Sequence, residues 1–215
     1  MTTKRLREPV NALTHLIGAG VFFVGTLILL AQRLLAGASA KSIAGAVIFG
    51  ISLVLLYTAS GIYHGVKGSD RTIGVLKKLD HSMIYVLIAG SYTPICLEVL
   101  EGTKRNLILL IIWSIAIFGI LSKILVPKIP RVVYTLGYLL MGWMVVFFIG
   151  DVYAVLHPVG FFLLALGGIF YSIGGVIYMV KKPNFWAAFG FHELFHIFIL
   201  LGSLSHYFLI FSYLS

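Results

Sequence analysis

Seven apolar runs of about 20 residues each dominate this chain and restrict its fold. They fall at about 13–35, 43–65, 81–100, 106–126, 131–150, 157–180 and 190–213. A helix of about 20 apolar residues crosses the hydrocarbon core of a bilayer. A membrane-spanning strand barrel would instead show short alternating segments. The expected fold is therefore all-α, with seven transmembrane helices forming one domain over residues 1–215. Composition agrees: 60% of residues are hydrophobic and 11% are charged, against about 25% charged in soluble domains. A soluble enzyme domain is excluded. The single cysteine, Cys96, excludes an internal disulfide and a thiolate metal cluster.

Charge sets the expected orientation. The formal net charge is +9, but no basic stripe with interleaved aromatics points to nucleic acid. With the N-terminus inside, the inner segments hold Lys4, Arg5, Arg7, Lys67, Arg71, Lys77, Lys78, Lys123, Lys128, Arg131, Lys181 and Lys182. The outer segments hold Arg33, Lys41, Lys104 and Arg105. Twelve basic residues against four is a positive-inside bias, which puts the N-terminus in the cytoplasm and the C-terminus outside. No small-residue cleavage site follows a short apolar core, so the first span is read as retained. The expected location is the cell (plasma or inner) membrane, crossed several times. Residues 66–79 are the longest expected inner loop, with a short interfacial helix at its end. Gly90–Pro94 (GSYTP) is expected to kink or end the third helix.

The ionisable residues inside these spans carry the chemistry, because such groups are costly in hydrocarbon. His192 and His196 are spaced i, i+4 and so share one helical face. His64 ends the second span, Asp80 starts the third, and Ser60 lies one turn from His64. Given the expected topology, these residues fall within roughly 10 Å of one depth near the inner face. Three imidazoles with an open fourth position suit a catalytic zinc ion. His64, His192 and His196 are thus the expected ligands, with Asp80 as proton acceptor and Ser60 as a hydrogen-bonding group. The stretch HELFH also fits the zinc-protease pattern HExxH, which makes Glu193 an alternative base. His15 starts its helix on the same side and is a weaker ligand candidate. His81 points about 100° away from Asp80 around its helix and is expected at the interface. His206 is expected to lie too far across the bilayer to share the site.

Several of these residues fall in patterns of a known family. Ser60–His64 resembles an SxxxH motif. Residues 79–94 (LDHSMIYVLIAGSYTP) resemble a third-helix signature, and His192–His196 an HxxxH motif. Asn11–His15 (NALTH) resembles a first-helix motif. Together, over nearly the whole chain, they resemble the hemolysin III branch of the progestin and adipoQ receptor superfamily. The short N-terminus resembles that of bacterial members. The resemblance implies seven helices, a cytoplasmic N-terminus, and zinc near the inner leaflet held by His64, His192 and His196. It places Asp80 and Ser60 beside the ion and includes Asn11 in the pattern. The adiponectin receptor relatives in that superfamily are similar to alkaline ceramidases, which implies hydrolysis of a membrane lipid. The family name implies red-cell lysis, and bacterial members are associated with membrane-lipid homeostasis.

Three functions follow as expectations. The first is a zinc-dependent hydrolase of a lipid amide or ester, with a membrane lipid as substrate. The second is a lipid or fluidity sensor in which zinc only ties helices together. The third is a membrane-lytic protein, for which the sequence offers no amphipathic pore-lining stripe.

Overall fold

The computed structural model describes residues 6–126, 128–186 and 189–214. Lys4 and Arg5, used above in the charge pattern, lie outside the described residues. Among the described residues, eight α-helices follow in order: α1 (Pro9–Leu35), α2 (Ala40–Gly65), α3 (Asp70–Val99), α4 (Gly102–Leu125), α5 (Arg131–Gly142), α6 (Ile149–Val155), α7 (Pro158–Val180) and α8 (Phe191–Tyr213). A 3-10 turn, Trp143–Phe148, joins α5 to α6, and the three pieces together make one span. Among the described residues, seven spans are long and apolar enough to cross a membrane, and the chain is a multi-pass membrane protein. Among the described residues the only β pairing is a single bridge between Trp186 and Phe189.

Local chemistry explains the helix starts. Pro9 occupies the first turn of α1, where its missing N–H costs nothing. Ser39 and Ser69 cap α2 and α3 by accepting from the N–H groups of Ser42 and Thr72. The Ser69 cap bears on the longest expected inner loop. The structure makes residues 70–79 part of α3, and only residues 66–69 separate it from α2. At about 45 Å, a helix of this length outruns a hydrocarbon core of about 30 Å. Its charged first turns can therefore stay helical while standing in the headgroups. Nor does α3 end at GSYTP: it runs through Pro94 to Val99.

The break in regularity falls instead on the helix facing that motif. The Tyr92 hydroxyl donates to the Gly142 carbonyl at 2.6 Å and accepts from the Val145 N–H at 2.8 Å. A side chain inserted into a backbone ladder is a standard cause of such a break. The 3-10 turn begins at the next residue, Trp143.

Packing runs around the bundle: α1 on α2, α2 on α3, α3 on α4, α5 on α7, and α7 on α8, which returns to α1. The third helix also touches α5 and α8 and is the most enclosed, while α4 is the most lipid-facing. Close approach needs small residues, since lipid tails supply no hydrophobic drive between helices. A Cβ on Gly90 would stand 2.3 Å from Ser52 Oγ across the α2–α3 contact. One on Gly167 would meet the His206 ring at the same distance across α7–α8.

Candidate metal centre

Two helix ends build the site. His64 lies in the last turn of α2, and His192 and His196 lie in the first two turns of α8. Their rings form a nearly equilateral triangle, with centroids 4.9, 4.9 and 4.8 Å apart. One nitrogen from each lies within 4.8 Å of the others, so the group can hold a metal ion. The Nε2 atoms of His64 and His192 are 3.2 Å apart. Two nitrogens on one tetrahedral ion with bonds of 2.0–2.1 Å stand about 3.3–3.4 Å apart, so this spacing fits shared ligation. His196 is 1% exposed, and its Nδ1 has no hydrogen-bond partner. A buried imidazole with an unpaired nitrogen fits a metal ligand.

One contributor escaped the sequence reading. Glu8, just before α1, places Oε2 2.6 Å from His64 Nδ1. That contact commits Nδ1–H to the carboxylate and frees Nε2 for a metal, the arrangement that orients metal-ligating histidines. Glu8 is held in turn by Arg7, whose Nε lies 3.1 Å from Oε1. The Arg7 and Glu8 N–H groups bond the Gly65 and His64 carbonyls, docking this segment on the end of α2. The hydrogen bond from His64, with Arg7 adding to it, holds the Glu8 carboxyl down to about 2. The available signal was an acid at the start of the first helix, immediately before Pro9, in a segment otherwise notable for its basic residues.

The other candidates have definite positions. Glu193 accepts from Asn11 Nδ2 at 2.7 Å through Oε1 and from the Gly190 N–H at 2.8 Å through Oε2. Both oxygens are thus engaged in capping α8 and tying it to α1. Asn11 also reaches Glu8 Oε2 at 3.5 Å. His15 lies outside the metal-binding group. It stacks on His196 at 3.6 Å and meets Tyr57 edge-on, and both its ring nitrogens are buried without partners.

Asp80 and Ser60 are buried side by side. Both face a cavity of about 130 Å³ whose walls also include His15, His192 and His196. The cavity runs on past Tyr138 and Tyr171 to His206 and is mostly apolar. It therefore joins the carboxylate–serine pair to the histidine group and continues as a slot suited to a hydrocarbon chain.

His81 corrects the interfacial expectation. It is buried, within 3.5 Å of the Tyr178 hydroxyl and facing the Tyr134 ring. The central position of α3 puts protein on both sides of Asp80. His206 bonds the Leu164 carbonyl at 3.3 Å at the far end of the cavity.

A sequence profile described as "Haemolysin-III related" matches residues 3–207. The chain belongs to that family. It is 40% identical to the hemolysin-3 homolog of Bacillus subtilis (strain 168) over 206 residues, covering 96% of this chain and 93% of that protein. It is 36% identical to hemolysin-3 of Bacillus cereus over 213 residues, covering 99% and 94%. A more distant relative, the human monocyte to macrophage differentiation factor, is 30% identical over 172 residues, covering 78% and 69%. In this haemolysin-III-related chain, the family profile takes in every residue of the histidine triangle, together with Glu8, Ser60 and Asp80.

Proposed function

We propose that this protein is a zinc-dependent hydrolase of a membrane-lipid amide or ester and serves membrane-lipid homeostasis. The observation that carries the reading is the shared cavity: a buried carboxylate and a serine face the same apolar slot as the histidine group. His64, His192 and His196 would hold the ion. Bound there, zinc supplies Lewis acidity toward a carbonyl oxygen and lowers the pKa of a water. Asp80 accepts the proton that water loses as it adds to the carbonyl carbon, and returns it to the departing nitrogen or oxygen. Ser60 fixes the carboxylate in position. Glu8 fixes the His64 ring and its tautomer. The apolar walls hold the lipid chain and exclude bulk water. We place the site at the cytoplasmic leaflet, because the twelve-to-four charge distribution puts the N-terminal end inside.

The test is Asp80→Asn in purified protein loaded with zinc and presented with a panel of lipid amides and esters. Loss of turnover by about 100-fold or more, with zinc stoichiometry unchanged, is expected for a general base. Unchanged turnover, or none in the parent protein across the panel, sinks the reading.

A second reading has its own support. The triangle joins α2 to α8, and Glu8–His64 and Asn11–Glu193 tie α1 to both, so an ion there braces three helices whatever its chemistry. A sensor with structural zinc would lose stability on chelation and keep its function in Asp80→Asn.

A further inference from the structure

A second cavity, of about 290 Å³, opens at the same end of the bundle between the first turns of α3 and the α4–α5 connection. Its walls carry Lys77, Lys78, Lys123 and Lys128, together with His81 and Tyr134. Among the described residues no carboxylate lines it. The nearest acid in sequence, Asp80, faces the deeper cavity instead. Two of the lysines are fixed. Lys123 Nζ sits 3.4 Å from the centre of the Tyr134 ring, and Lys78 Nζ donates to the Ile124 carbonyl at 2.9 Å. An ammonium has three donors, so both retain N–H groups to offer. Two arginines at this end are spent differently. Arg7 is engaged by Glu8 and the Tyr63 carbonyl, and Arg131 by the Tyr178 carbonyl and ring.

Four like charges around one concavity repel one another unless an anion joins them. The surroundings identify the anion's source. Val75, Leu79, Leu121, Leu125 and Val126 are exposed apolar residues on the helices beside the opening, in a chain whose outer surface meets lipid. Moreover, His81 and Tyr134 line both this cavity and the apolar one behind it. We propose that the lysine-lined cavity binds the phosphodiester headgroup of an anionic membrane lipid. Basic pockets between membrane helices on the cytoplasmic side recognise such headgroups. This site stands apart from the histidine group and does not depend on hydrolysis.

The test uses the full chain in neutral detergent, titrated with phosphatidylglycerol or phosphatidylcholine in mixed micelles and read by native mass spectrometry. Two double variants are compared: Lys77→Gln with Lys128→Gln, and Lys181→Gln with Lys182→Gln. Both remove two exposed charges from the same end, and melting curves in phosphatidylcholine check that each folds. Phosphatidylglycerol is expected to bind preferentially. The first pair should weaken it roughly 30-fold, as for two lysines near an anionic lipid surface, and the second pair by less than about threefold. Equal weakening by the two pairs would assign the preference to net charge and overturn the proposal. Equal binding of the two lipids would overturn it as well. Displacement of the lipid by millimolar inorganic phosphate would make the ligand a free anion and remove the headgroup assignment.

Discussion

Replacing Glu8 with Gln probes the proposed metal centre without touching a proposed ligand. The side chain keeps its length, but the carboxylate that engages His64 Nδ1 at 2.6 Å becomes a neutral amide. Loss of a partner that orients a metal-ligating histidine costs 10- to 100-fold in affinity, or about 1.4–2.7 kcal/mol. Two features of the structure set where Glu8 falls in that range. Its side chain is 40% exposed, so water partly screens the lost charge, and the amide oxygen can still accept from Nδ1. We expect about a 10-fold loss of zinc affinity for Glu8→Gln and a larger loss for Glu8→Ala, nearer the upper limit. The backbone bonds of Arg7 and Glu8 to Gly65 and His64 survive both substitutions, so the metal-free protein should melt close to its parent. Competition against a chromogenic zinc chelator, with purified protein in detergent, measures the affinity. An unchanged affinity for Glu8→Ala would refute the positioning role. So would a fall matched by the same fall in metal-free melting temperature, which would make the contact merely structural.

Tyr92→Phe strips the Gly142 carbonyl and the Val145 N–H of their shared partner. It should destabilise the fifth span by about 1–3 kcal/mol, seen as a lower melting temperature; an unchanged melt would show that the 3-10 turn does not need the hydroxyl. Gly90→Ala forces a Cβ to 2.3 Å from Ser52 Oγ and should cost about 1–3 kcal/mol, with partial recovery when Ser52 is also changed to Gly. Arg33, buried and donating to the Ile210 and Leu214 carbonyls, holds the end of α8. Arg33→Met should therefore speed hydrogen exchange in the last turn of α8, while the first turns around His192 exchange as before.

The seven spans were legible in the sequence because a bilayer leaves a chain little choice. Backbone N–H and C=O groups must be satisfied inside hydrocarbon, so apolar runs of sufficient length become helices. The i, i+4 spacing fixed His192 and His196 on one face for a similar reason, since helical geometry is local. His64 joined them through depth, which follows from counting residues from a helix end.

Depth does not fix how each helix is rotated about its axis, and lipid as apolar as leucine gives no hydropathy signal for that rotation. Tertiary packing alone decided that His15 stacks on His196, that Asn11 engages Glu193, and that His81 is buried. It also decided that Glu8 reaches across 56 positions to His64, a contact with no local pattern. The break in regular helix shows the same division. The sequence marked the GSYTP motif as irregular, yet its tyrosine interrupts the neighbouring span, because an unpaired backbone carbonyl takes whichever donor the packing brings to it.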